Sequence, residues 1–237
     1  MKRTAQTVVV TMMLVFAFSL SAWALPYPVS VGSKVQMYAN DNVAISYEGH
    51  YQAYNTATKQ TFGTFCVELN EFFWVGNINT VASVADSAVN GGLYGAVNGA
   101  DPLSNATKWL YYHFMLKDLE AVTATTKEND YSMQLAVWFL EDELLFKVAA
   151  NTQYYNEYYA DALAQTYVSK ALAAQALNAY TGDVKVMNLV EYDAAGNVLY
   201  RQSQLVSAPV PEPGTLVLIG VGMFTLAVYG KRRTNRS

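Results

Sequence analysis

Cys66 is the only cysteine among 237 residues, and it sits in the run Thr64-Phe65-Cys66-Val67-Glu68-Leu69. Four chemistries are open to its thiol. It can be a buried free thiol, since cysteine is among the most buried residue types. It can form an intermolecular disulfide, act as a catalytic nucleophile, or supply one half of an internal thioester. Catalysis needs a base, usually histidine, that a third group orients. The chain has two histidines, His50 and His113, and neither lies in a recognisable protease motif. His113 stands among aromatics in Trp109-Leu110-Tyr111-Tyr112-His113-Phe114 and reads as an ordinary helix residue. One cysteine and two histidines also fall short of the usual four-ligand structural zinc site. No catalytic set, metal site or cofactor is therefore expected, and the chain does not read as an enzyme.

A second short run, Met133-Gln134-Leu135-Ala136-Val137-Trp138, bears on the choice. Phe65-Cys66-Val67-Glu68, followed later by Gln134-x-Ala136-Val137-Trp138, resembles the thioester domains of bacterial surface adhesins. Those pair an aromatic-Cys-aliphatic-acid strand with a Thr-Gln-x-Ala-aliphatic-Trp segment that opens a helix. Here Met133 stands in the threonine's place. The resemblance implies that the Cys66 sulfur attacks the Gln134 side-chain amide and expels ammonia. The product is a buried thioester, which a surface amine or hydroxyl on a target opens to become covalently attached. Phe65, Glu68, Ala136 and Trp138 would surround the bond. The alternative is a noncovalent structural matrix protein in which Cys66 stays a free, buried thiol.

Those side chains need elements to hold them. A strand through Cys66 would turn Thr64, Cys66 and Glu68 to one side and Phe65, Val67 and Leu69 to the other. On a helix, Gln134, Trp138 and Glu141 follow i, i+4, i+7 spacing and share a face. Packing that helix across the strand would bring Gln134 to the sulfur, with Trp138 covering the bond and Glu68 or Glu141 placed to carry protons. By analogy with a disulfide, closing so long a loop is worth on the order of 4 kcal/mol.

The pattern along the chain supplies such elements. Alternation of apolar and polar residues predicts strands at 35–38, 43–47, 51–54 and 61–74, with Gly63 as a turn or bulge. Residues 77–101 are rich in small residues and read as loop with a short helix. A period near 3.6 predicts a helix over 105–119. A second runs from an Asp130 or Ser132 cap to residue 148. A third spans 151–180, broken near Thr166 and ending at Gly182. Strands at 184–190 and 197–206 form a hairpin around Asp193-Ala194-Ala195-Gly196-Asn197. The fold class is α+β: N-terminal strands, a central helical segment and a C-terminal β-hairpin. The tyrosines of Gln153-Tyr154-Tyr155-Asn156-Glu157-Tyr158-Tyr159 are suited to stacking on sugars or, as i, i+4 neighbours, to core packing.

Both ends read as addresses. Lys2 and Arg3, an apolar stretch over 8–20 and Ala22-Trp23-Ala24 have the three parts of a secretory signal peptide over residues 1–24. At the other end, Pro211-Glu212-Pro213 precedes an apolar helix over about 214–230, near the lower limit for a bilayer span. Lys231, Arg232, Arg233 and Arg236 follow, and such a basic cluster stays cytoplasmic. These three parts resemble the PEP-CTERM sorting signal of Gram-negative bacteria. The resemblance implies recognition by an exosortase at the inner membrane and removal of the helix. The body would be anchored only transiently, then left at the cell surface or in an exopolysaccharide-rich biofilm matrix. The domains are thus 1–24, an exported thioester-like body over 25–207, and a sorting tail over 208–237.

Charge narrows the partners. The whole chain carries a net −4, but between the two addresses nine Lys and Arg face eighteen Asp and Glu, a net of −9. With no basic patch, nucleic acid is not an expected partner. The expected partners are the exosortase, the membrane through the C-terminal helix, and an exopolysaccharide or a surface amine or hydroxyl target.

Overall fold

The alternating run at 35–38 lies inside β1 (Lys34–Ala39), which turns Val35 and Met37 into the interior. The computed structural model describes residues 27–39, 50–89, 91, 96, 98–119, 127–144, 152–179, 181–208 and 222. The predicted strand at 43–47, the signal peptide, and the sorting tail with its 214–230 helix lie outside the described residues. Among the described residues no helix is long and apolar enough to cross a membrane. Residues Pro26–Ala208 make one compact unit.

The body is mixed α+β, with strands first, helices in the middle and strands last. β1, β2 (His50–Asn55), β3 (Thr61–Phe65), β4 (Ile78–Ala85), β7 (Val184–Tyr192) and β8 (Val198–Ser207) form one sheet in the order β3-β2-β1-β4-β7-β8. Its pairs are all antiparallel. β5 (Ser87–Val89) and β6 (Ala100–Pro102) form a separate two-stranded ribbon. The outer strands of the large sheet meet. Cys66 bridges Gln204, the Val67 N–H donates to the Ser203 carbonyl at 3.0 Å, and Thr64 Oγ1 donates to the Leu205 carbonyl at 2.6 Å. The sheet therefore closes at one point, through the bridge just past the end of β3. A cluster of Val29, Val35, Met37, Ala53, Val81, Met187, Leu189 and Val206 draws on β1, β2, β4, β7 and β8, as a barrel interior does. β-Bulges between Val81 and Ser83 and between Met187 and Leu189 interrupt the ladders on either side of Asn188.

A second core lies between β3, β7 and β8 and the helices α1 (Asn105–Leu116), α2 (Lys127–Leu140), α3 (Thr152–Ala160) and α4 (Ala162–Ala176). Phe65 anchors it, edge-on to Tyr111 and Phe114 with centroids 6.3 and 5.3 Å apart. Residues 132–138 of α2 are all buried, as in a helix surrounded by others.

Several boundaries differ from the sequence reading. Residues 77–101, expected as loop, contain β4, the strand joining β1 to β7. Its small residues hid an Ile78-x-Thr80-Val81 pattern that suits a pleated sheet. Gly63 is no turn: it pairs with Gln52 inside β3, and its carbonyl accepts the Tyr111 hydroxyl at 2.9 Å. The strand predicted to run to residue 74 stops at Phe65, because side chains beyond it take over the main-chain hydrogen bonds. α2 begins before Asp130 and Ser132, so neither caps it; Ser132 Oγ instead donates to Asp161 Oδ2 at 2.7 Å. The third helical stretch breaks at Asp161, whose carboxylate accepts the Leu163 and Ala164 N–H groups as the cap of α4. Thr166 lies within α4, bonded to the Ala162 carbonyl. α4 ends at Ala176, not Gly182. The tyrosine run divides: Tyr158 stacks on Phe139 at 4.2 Å and Tyr154 packs on Trp138, while Tyr155 and Tyr159 pair with each other and Tyr159 is exposed.

Candidate functional site

Past Phe65 the chain keeps its main-chain groups satisfied by side chains. The Cys66 N–H donates to Gln134 Oε1 at 2.8 Å, and Gln134 Nε2 donates to the Cys66 carbonyl at 2.8 Å. Gln202 Nε2 donates to the Glu68 carbonyl, and the Leu69 N–H donates to Glu143 Oε2 at 2.8 Å. A solvent-facing glutamine would be bland; Gln134 is fully buried, and a buried amide must find partners. Its partner is one residue, Cys66, so α2 lies against the seam where β3 meets β8. The Gln134 amide is thus fixed beside the cysteine.

The sulfur lies on the seam as well. Gln204 Nε2 donates to Cys66 Sγ at 3.3 Å. Burial pushes the thiol up to about 12; the Gln204 hydrogen bond acts in the opposite direction and the Glu71 charge adds to the rise. A small pocket of about 40 Å³ opens beside it, lined by Cys66, Gln134, Trp138, Tyr154, Glu71 and Gln202 among others. That is room for a few water-sized groups. Trp138 leans on Tyr154 with centroids 4.9 Å apart, and its indole N–H has no hydrogen-bond partner among the described residues. Glu71 is the only carboxylate among the lining residues. Burial raises it above the usual carboxylate range, against the pull of the Ser203 N–H, which it accepts at 2.8 Å.

The predicted residues divide. Cys66, Gln134 and Trp138 meet in the pocket. Phe65 and Ala136 pack into the helical core on either side. Glu68 does not line the pocket: its carboxylate sits with those of Asp101 and Glu143. Burial, then the charges of Glu143 and Asp101, push it up to about 9. Glu141 accepts the Ser104 N–H at the start of α1, so neither acid suggested as a proton carrier lines the pocket. Glu71, Gln202 and Gln204 escaped sequence reasoning. The one available signal was the polar run Gln202-Ser203-Gln204 in a predicted strand, where a buried face would normally be apolar. Of the histidines, His50 pairs through its backbone with Phe65, and His113 bonds Asp118 through Nδ1 at 2.9 Å.

Residues 209–233, which contain Pro211, Glu212 and Pro213, match the PEP-CTERM protein-sorting motif. No curated protein and no solved structure matches the chain. The sorting motif implies recognition by an exosortase, export and membrane-linked sorting.

Proposed function

We propose that the exported body is an adhesive or matrix-building module that carries an internal Cys66–Gln134 thioester and attaches covalently to a surface amine or hydroxyl. The observation that carries this reading is the seating of the buried Gln134 amide on the Cys66 main chain, at 2.8 Å on both sides, beside a pocket of about 40 Å³. Bond formation is an acyl transfer. The Cys66 thiol loses its proton, Sγ adds to the Gln134 side-chain carbonyl carbon, the carbon–nitrogen bond breaks, and ammonia leaves with that proton. A thiol raised by burial is a poor nucleophile until a base takes its proton, and Glu71 is the group placed in the pocket to do so. Opening reverses the logic: an amine nitrogen attacks the same carbon, the carbon–sulfur bond breaks, Cys66 regains a proton, and an amide joins Gln134 to the target.

Methylamine tests this directly. Incubated with the folded full-length protein, it is expected to add once, at Gln134, and to release a titratable Cys66 thiol. The Cys66→Ala variant should gain nothing. A folded wild-type protein that takes up no methylamine, and whose thiol titrates on denaturation without it, would favour the noncovalent alternative.

A further inference from the structure

We propose that Glu68, Asp101 and Glu143 form a binding site for one calcium ion, separate from the thioester pocket. One carboxylate oxygen from each lies within 4.8 Å of the other two. Calcium binds oxygens at about 2.3–2.6 Å, so two ligands of one ion stand at most about 5 Å apart. All three residues are buried, Glu68 fully and Asp101 to 5% exposure. Among the described residues, both Glu68 oxygens and Asp101 Oδ2 lack any hydrogen-bond partner. Buried carboxylate oxygens left without partners are costly, and a cation between them would supply what the protein does not.

The surroundings are built to hold this arrangement. Glu143 sits just past α2, where Asp142 takes a left-handed conformation (φ 66°) and the Glu143 N–H returns to the Trp138 carbonyl at 2.9 Å. That turn directs Glu143 Oε2 to the Leu69 N–H, fixing its carboxylate next to Glu68. Gly91 closes in on Glu68: a Cβ there would come within 2.3 Å of Glu68 Cγ. Asp101 comes from β6. Three segments far apart in sequence thus deliver one carboxylate each.

An all-carboxylate set selects hard cations and excludes those that prefer nitrogen or sulfur. Magnesium keeps several of its waters, which a set this deeply buried does not accommodate; calcium sheds its water more readily and tolerates irregular geometry. The side of the membrane to which the sorting motif directs the body is also where weak calcium sites are useful.

Calcium chloride titrated into EDTA-treated full-length protein is expected to bind one ion per chain. At about 100-fold above the dissociation constant it should raise the unfolding midpoint by about 5–10 °C. Magnesium chloride at the same concentration should do less. Glu68→Gln and Asp101→Asn should each abolish the response. In EDTA both should unfold no earlier than wild type, since each replaces a buried carboxyl group that has an unpartnered oxygen with a neutral amide of the same size; if one fails to fold, the other decides. No calcium shift in wild type, or an undiminished shift in a folded variant, would overturn the site. A magnesium shift as large as that of calcium would overturn its assignment to calcium.

Discussion

Replacing Gln134 by alanine is expected to abolish amine capture and to leave the body about 2–6 kcal/mol less stable than a Cys66→Ala variant. The two effects have separate causes. Capture fails because the acyl carbon is gone. Stability falls because the Cys66 N–H and carbonyl, both served by the Gln134 amide, are left unpaired in a buried seam, at about 1–3 kcal/mol each. Cys66→Ala separates these causes. It also prevents the thioester, yet it leaves Gln134 free to make both main-chain hydrogen bonds. Urea unfolding of the two variants should therefore place Gln134→Ala well below Cys66→Ala, while neither takes up methylamine. Equal stabilities would mean that the two hydrogen bonds at the seam contribute little.

Replacing Pro211, Glu212 and Pro213 by alanines is expected to leave the protein in the membrane fraction at its precursor mass. Residues 209–233 match the sorting motif, and Pro211, Glu212 and Pro213 lie within the match, just before the apolar stretch of the sequence. Without them an exosortase loses the signature it reads, whereas the apolar stretch and the basic cluster remain to hold the chain. Cell fractionation followed by immunoblotting reads the outcome. Wild type should appear outside the membrane in shortened form and the variant should not. Normal release of the variant would remove exosortase processing from the account.

How much of this the sequence disclosed depended on the kind of signal. The α+β order, the terminal hairpin and α1 were legible because each rests on a local period or a turn, such as Asp193 accepting the Asn197 N–H across the β7–β8 connection. β4 was hidden because one of its two buried positions is the polar Asn79 while the apolar Ile78 is exposed, and its place between β1 and β7 is decided by tertiary pairing. At the site, two short motifs suggested that Gln134 meets Cys66, and the buried Gln134 amide bonds the Cys66 main chain. The closure of the sheet was not legible, since no local pattern reports that β3 and β8 meet. For the same reason Gln202, Gln204 and Glu71 were missed, and Glu68 was assigned to the pocket when its carboxylate lies with Asp101 and Glu143.

The measurement closest to the central claim is the intact mass of the processed protein beside that of a Cys66→Ser variant produced in the same way. Comparing the two removes the unknown position of the sorting cleavage. After allowing for the substitution, the wild-type chain is predicted to be lighter by one ammonia, with no thiol titrating on denaturation. A wild-type chain of full mass, with Cys66 titrating as a free thiol once unfolded, would contradict the thioester.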